Sequence, residues 1–294
     1  MLRKLTALAI AAGLLAAAPA LAETTQAPLK PVAWSFDGPF GHYDQEQLQR
    51  GFKVYREVCS QCHSLKLIAF HDLGEPGGPF WDPKYKTAND NAYVKAIAAQ
   101  FKVPDIDTDT GDPIQRQATT ADAMPPHYPN DIAAKATLGG APPDMSLLAK
   151  AREGGPTYIY SLITADIPAG SKGSVTAYAP TPPGLVIPAG KYYNPYLAGD
   201  LSASMTPGWK GPIPVGGIIA MPPPLADGKV TFDDGKASTI DQEAQDVAAF
   251  LQWASDPKME ERKQMGLGVM IYLLLFSGVL YLSYRHIWRN VDHH

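Results

Sequence analysis

The sequence predicts a mostly α-helical exported domain with long irregular loops, followed by one C-terminal transmembrane helix. Apolar residues recur at helical spacing in short segments near both ends of the chain, and proline and glycine are dense between those segments. An uncharged apolar stretch lies close to the C-terminus. The middle of the chain, from about Leu73 to Asp234, contains no run of alternating strands and no internal repeat.

Residues 1–22 are typical of a secretory signal peptide. Arg3 and Lys4 precede an apolar run, and Ala20-Leu-Ala22 supplies a small-x-small cleavage pattern. Cleavage there leaves a mature chain that begins near Glu23 and works outside the cytoplasm. Removing the two basic residues changes the formal charge from −4 to −6. We do not expect so acidic a protein to bind nucleic acid, whose phosphates require a basic surface.

The first helix of the mature chain is predicted from Tyr43 to Cys59. Leu48, Phe52 and Tyr55 recur at spacings of four and three, which places them on one face. Gly51 lies on the same side, where the absence of a side chain would let a second helix approach closely.

That second helix is predicted near the C-terminus. Thr239-Ile-Asp-Gln242 resembles a capping box, and apolar residues follow it at helical spacing. We expect this helix to pack on the first one across Gly51 and to end or bend at Asp256-Pro257. Two short helices are expected between them, at about Ala92–Gln100 and Tyr158–Thr164.

A transmembrane helix is predicted from Met265 to Tyr284. This stretch of about twenty residues has no charge and is long enough to cross the hydrocarbon core of a bilayer. Because the signal peptide exports the large domain, the tail after the span is expected in the cytoplasm. The predicted division is a signal peptide at 1–22, a periplasmic domain at 23–260, an anchor helix at 261–284 and a cytoplasmic tail at 285–294.

The chain has two cysteines, and both lie in Cys59-Ser-Gln-Cys62-His63. This C-x-x-C-H pattern is the attachment signature of a c-type haem: two thiols bind the vinyl groups and the adjacent histidine ligates the iron. A thioredoxin-like redox pair needs a strand-to-helix context, and a zinc site needs two further ligands nearby. Neither accompanies the motif, so we predict one covalent haem c.

The sixth iron ligand decides between electron transfer and chemistry at an open iron. Met124 and Met221 are the leading candidates, because each lies in an Ala-Met-Pro-Pro segment whose prolines stiffen the loop. The motif and the spacing leave both open. Weaker candidates are Met145, Met205 and Met259, and the histidines His42, His71 and His127.

The sequence resembles cytochrome c1 of the bacterial type, the haem subunit of the ubiquinol–cytochrome c oxidoreductase, or cytochrome bc1 complex. The resemblance extends over nearly the whole mature chain. The segments that carry it are Arg50–Ser64, Pro142–Ser146, Ala151–Gly155 with Tyr158, Tyr192–Tyr196, Ala220–Pro223, Phe232–Gly235, Asp246–Ala254 and Arg262–Gly266.

The resemblance implies a cytochrome-c-like helical haem domain on an inner-membrane anchor. It implies His63 and Met221 as iron ligands, and Arg152 and Tyr158 as contacts of a haem propionate. It also implies assembly with cytochrome b and the Rieske iron–sulfur protein. An electron would come from the Rieske protein and pass to a soluble or tethered c-type cytochrome, with no substrate chemistry in this chain.

Two features differ from some members of that family. Some bacterial members carry an extra cysteine pair near the ligand methionine; this chain has none, so its loop must be held by proline stiffness and packing. In place of a long acidic insertion it has only the run Asp105–Asp112, which is expected to steer a basic partner or to be a solvated loop. The rival interpretations are a membrane-anchored haem enzyme with an open iron and a tethered carrier that works without a complex.

Overall fold

The structure is a computed structural model that describes residues 26–173 and 175–290. The predicted signal peptide and the last residues of the tail lie outside this range. The domain is mostly helical, as the sequence predicted. Its helices are α1 (Gln45–Glu57), α2 (Ala92–Ala98), α3 (Asp131–Leu138), α4 (Gly155–Thr164), α5 (Ile240–Ser255) and α6 (Met259–Ile287).

Four short strands form two separate antiparallel pairs, which the sequence analysis did not anticipate. The strands are β1 (Lys102–Ile106) paired with β2 (Pro113–Gln117), and β3 (Tyr192–Asn194) paired with β4 (Gly217–Ile219). Each strand is only three to five residues long, and β1 and β2 contain prolines, so no alternating pattern marks them in the sequence.

Helix α3 was also missed by the sequence analysis. It begins after Asn130, whose side chain accepts a hydrogen bond from the Ala133 amide, and it ends at Gly139 in the left-handed conformation. Both are ordinary cap signals. The helix itself is short and mostly exposed, so it lacks the apolar face by which helices are recognised.

Helices α1 and α5 pack directly against each other at Gly51, as predicted. A Cβ atom at Gly51 would lie 2.0 Å from the carbonyl oxygen of Asp246 and 2.7 Å from Cβ of Phe250. Glycine is therefore required for this helix crossing. Phe52 and Tyr55 of α1 pack on the ring of Phe250, and the contact forms the centre of the main core.

A buried ion pair connects the same two helices. Arg50 of α1 donates through Nε to Asp246 of α5 at 2.9 Å, and through Nη1 to Asp234 at 2.7 Å. Asp246 is completely buried. Burial raises the pKa of Asp246, and the guanidinium of Arg50 opposes that rise. The carboxylate of Asp246 can thus remain charged in the core only because the guanidinium of Arg50 lies beside it.

Helix α5 begins at the predicted cap, where Thr239 accepts a hydrogen bond from the Gln242 amide. It ends at Ser255, one residue before the predicted Asp256-Pro257 break, and α6 starts at Met259. Among the described residues, α6 is the one helix long and apolar enough to cross a membrane, with a mean hydropathy of 2.1 in its most apolar window.

Several contacts fix the start of α6 to the helical domain. Glu260 accepts a hydrogen bond from the Tyr43 amide at 2.7 Å, and Lys263 donates to the carbonyl oxygen of Phe36 at 2.7 Å. Arg262 pairs with Asp256 in the turn between α5 and α6. The apolar helix therefore continues from a rigid base, immediately beside the N-terminal end of α1.

Candidate haem site

The C-x-x-C-H motif follows directly on the end of α1. Residues Cys59–Gln61 form a 3-10 turn, and the His63 amide donates to the carbonyl oxygen of Cys59 at 2.8 Å. This turn places both sulfurs and the imidazole close together at one end of the α1–α5 pair. Cys59 and Cys62 are half-buried and form no disulfide.

The environment of the two thiols does not suit redox chemistry. Burial raises the pKa of Cys59 to about 12, with a further contribution from neighbouring Cys62. Burial also raises the pKa of Cys62. Reactive cysteines have lowered pKa values instead. Nor do the described residues contain a group of three or more His, Cys, Asp or Glu side chains placed to hold a metal ion. The raised pKa values argue against a thioredoxin-like redox pair.

His63 is oriented through one ring nitrogen. Its Nδ1 lies 2.8 Å from the carbonyl oxygen of Pro143, which can only accept, so Nδ1 carries the proton and Nε2 keeps a free lone pair. Burial lowers the pKa of His63. A neutral imidazole held this way is the usual arrangement of a histidine that ligates a metal through its other nitrogen. The residues therefore fit a haem iron on the Nε2 side.

Asp144 holds in place the backbone segment that orients His63. In the sequence this residue is visible only as part of the segment Pro142–Ser146. Its carboxylate accepts from Ser64 Oγ at 2.7 Å and from the amides of Lys66 and Ser146 at 2.9 Å each. Burial opposes its ionisation, but these hydrogen bonds outweigh burial and lower the pKa of Asp144. The charge of Asp144 thus holds residues 64–66 against the Pro143 segment.

Met221 and Met124 have different surroundings. Met124 is buried in the main core, and its amide donates to the carbonyl oxygen of Ile68 at 2.9 Å. Met221 is half-buried and packs both on the main core and on a small cluster formed by Ala165, Tyr178 and Tyr196. A buried methionine with core neighbours on all sides serves packing, whereas a half-buried one keeps part of its side chain accessible.

The weaker candidates lie in ordinary structural positions. Met145 and Met259 are buried in the main core, and Met205 packs in a separate cluster with Leu185. His71 lies 3.3 Å from a carboxylate oxygen of Asp72. His42 and His127 are the remaining histidine candidates. The ring of His127 contacts the ring of Tyr128.

Arg152 and Tyr158 lie close to each other. Tyr158 is buried in the first turns of α4, and Arg152 is exposed in the turn before it. Burial raises the pKa of Tyr158, and the nearby Arg152 guanidinium counteracts part of that rise. The pair presents a positive charge and a hydroxyl donor side by side, which suits a carboxylate.

The acidic run Asp105–Asp112 forms the turn of the β1–β2 hairpin. Asp105 is paired with Arg116 at 2.5 Å, and Asp107 accepts backbone hydrogen bonds within the turn. In the part of the chain that the structure describes, neither Asp109 nor Asp112 forms an ion pair. Half of the run therefore stabilises the hairpin, and the remaining charge is exposed at its tip.

A helical domain that presents an oriented histidine beside two cysteines, ahead of one membrane-length helix, defines a membrane-anchored c-type cytochrome. Comparison with known proteins specifies the family. The chain belongs to the Cytochrome C1 family, whose model matches residues 34–291. As a member, it is an electron-transfer haem subunit of a cytochrome bc1 complex, which also contains cytochrome b and a Rieske protein.

Relatives from several bacteria match most of the chain. It is 41% identical over 266 residues to "Cytochrome c1" of Rhodospirillum rubrum, covering 88% of this chain and 87% of that protein. It is 37% identical over 300 residues to "Cytochrome c1" of Blastochloris viridis, covering 99% and 97%. It is 40% identical to "Cytochrome b/c1" of Bradyrhizobium diazoefficiens, but spans only 35% of that protein.

Proposed function

We propose that this chain takes one electron from the Rieske iron–sulfur protein and delivers it to a soluble or membrane-tethered c-type cytochrome. The observation that carries the proposal is the contact of His63 Nδ1 with Pro143, which leaves Nε2 as an iron ligand beside Cys59 and Cys62. When bound, the haem supplies a reversible one-electron change at iron. The chain's own part in this proposal is to hold and tune the group.

Cys59 and Cys62 would anchor the haem covalently through their sulfurs. Neither sulfur forms a disulfide, so both remain available for thioether bonds. His63 would be the first axial ligand. Its carbonyl oxygen accepts a hydrogen bond from Tyr55 at 3.2 Å, so its backbone and its ring are both positioned.

Met221 would be the second axial ligand. Its half-buried position on a proline-rich loop supports this assignment over Met124, which the main core encloses. A thioether ligand favours reduced iron and raises the midpoint potential, as an electron acceptor of the Rieske protein requires. Arg152 and Tyr158 would bind a propionate and add to the same effect.

The acceptor is proposed to approach the exposed edge of the haem near Cys59–His63. The mature chain is acidic, with a formal charge of −6, which favours a basic partner at long range. Asp109 and Asp112 at the hairpin tip would contribute to this attraction, whereas Asp105 shares the Arg116 guanidinium with Asp122.

We assign the helical domain to the periplasmic side of the inner membrane and the tail after residue 284 to the cytoplasm. The signal-like residues 1–22, the domain at 23–260 and the anchor at 261–284 support this orientation, since an exported domain leaves a following helix in the membrane. In the structure the anchor helix is longer than that span, from Met259 to Ile287, so it would also contact lipid headgroups at both ends.

The assignment of Met221 is tested by a redox titration of membranes that carry Met221→Leu. We expect a large fall in the midpoint potential and loss of low-spin character, because leucine cannot ligate iron. Met124→Leu is the matched control and should leave both properties unchanged. An unchanged midpoint potential in Met221→Leu would show that a residue other than Met221 ligates the iron. Carbon monoxide binding by the unmodified protein as fast as by Met221→Leu would instead support the rival haem enzyme with an open iron.

A further inference from the structure

The loop that carries Met221 has few hydrogen bonds of its own. The three prolines that follow, Pro222–Pro224, have no backbone N–H to donate. Strand β4 ends two residues before Met221. Within the described part of the chain, the next backbone amide of the loop that is bonded belongs to Asp227, which donates to the carbonyl oxygen of Ser171 at 2.9 Å. The position of the loop therefore depends on contacts from other parts of the chain.

Tyr178 supplies one such contact. Its side chain is completely buried, and its hydroxyl donates to the carbonyl oxygen of Pro222 at 3.1 Å. Among the residues that the structure describes, this is the one hydrogen bond that reaches residues 220–224 through a side chain. Its acceptor is the residue immediately after Met221, so any movement of the tyrosine would be transmitted to the methionine.

Tyr178 is itself held in place. Its carbonyl oxygen accepts from the Asp166 amide at 2.9 Å, just after the end of α4. Its ring lies at 86° to the ring of Tyr192 in β3, with centroids 6.5 Å apart. Burial raises the pKa of Tyr178, with smaller contributions from Tyr192 and Cys59, so the hydroxyl remains a donor.

We propose that Tyr178 is a positioning residue that holds Met221 on the iron by fixing the carbonyl group of Pro222. This inference rests on the proposed role of Met221 and goes one step beyond it. A buried hydroxyl connects the loop to the segment after α4. A thioether binds iron weakly, so the fraction of time it is bound depends on how firmly its loop is held.

The test measures how often the methionine leaves the iron. Tyr178→Phe keeps the ring and removes only the hydroxyl. Tyr193→Phe is the matched control, because Tyr193 is also buried and its hydroxyl donates to the carbonyl oxygen of Val215 at 2.7 Å, six residues before Met221. The readout is the rate of carbon monoxide binding to the reduced haem in the detergent-solubilised complex, with Met221→Leu as the ligand-free reference.

We expect carbon monoxide to bind Tyr178→Phe about fivefold faster than the unmodified protein, the factor that one ordinary hydrogen bond contributes to an equilibrium. Tyr193→Phe should remain unchanged. An unchanged rate in Tyr178→Phe, or an equal increase in both variants, would overturn the inference. If Met221→Leu itself binds no faster, the ligand assignment fails instead. If Tyr178→Phe gives no holoprotein, Tyr178→Gln, which keeps a hydrogen-bond donor, is compared with Tyr178→Met, which does not. Equal rates of carbon monoxide binding in these two variants would count against the positioning role of Tyr178.

Discussion

The two sides of the candidate haem site are built in different ways. The histidine side rests on α1 and α5, two regular helices in direct contact at Gly51. The methionine side, residues 165–173 and 175–239, consists mostly of loops joined by the short β3–β4 pair. There, individual buried groups make the connections: Tyr178 bonds Pro222, and Asn194 bonds the carbonyl oxygen of Leu162. The histidine side is therefore supported by a direct contact between two helices, whereas on the methionine side single polar contacts connect loops that pack in small apolar clusters.

The largest effect is expected from Gly51→Ala on the histidine side. The new Cβ would lie 2.0 Å from a backbone oxygen of α5, so the helices must separate. We expect a loss of more than about 4 kcal/mol of stability, above the usual overpacking cost of about 1–3 kcal/mol because the obstacle is backbone. The measurement is the amount of haem-containing protein in membranes.

Gly140→Ala is the control, since nothing lies within 4 Å of a Cβ at that loop position. It should accumulate normally. Normal haem incorporation in Gly51→Ala would show that the helix contact is not what supports the histidine side.

Arg50→Gln should have the next largest effect, because it leaves Asp246 buried without its cation. Removing one partner of a buried pair costs about 3 kcal/mol or more. Thermal unfolding of the solubilised protein, followed by circular dichroism, measures the change. Arg56→Gln alters a more exposed arginine on the same helix, which contacts Gln100, and should shift stability by less than about 0.5 kcal/mol. Equal midpoints for the two variants would contradict the prediction.

The smallest effect, and one that depends on pH, is expected at Glu243, which connects the two sides. Glu243 is completely buried in α5; its Oε1 accepts from the Val230 amide at 3.0 Å and from Ser238 Oγ at 2.5 Å. Within the described part of the chain, Oε2 has no hydrogen-bond partner. Burial raises the pKa of Glu243 above its ordinary value of 4.5.

A raised pKa means that the folded protein holds this proton more tightly than the unfolded chain. The stability that this provides is complete below pH 4.5 and declines as the pH rises through the folded pKa. Glu243→Gln resembles the protonated side chain and does not titrate. The unfolding midpoint of Glu243→Gln should therefore increase relative to that of the unmodified protein as the pH rises. Parallel curves from pH 4 to 8 would refute this.

The elements that the sequence predicted share a simple origin. Periodic apolar residues, the Thr239 cap and the uncharged C-terminal stretch act over a few neighbouring positions, so α1, α5 and α6 are visible without a structure. The hairpin at β1–β2 was not visible, because Pro104 and Asp105 argue against a strand. Its pairing joins residues beyond the range of a local pattern, from Ile106 with Pro113 to Lys102 with Gln117.

The sequence by itself determined the haem-attachment motif, the helical class and the single anchor, because each depends on residue types at fixed short spacing. Only the tertiary structure decided how His63 is turned and what holds the loop of Met221. Pro143 lies 80 positions from its histidine, and Tyr178 lies 44 positions from Pro222. Contacts between a side chain and a distant carbonyl group leave no periodic pattern in the chain, because any residue can supply the carbonyl.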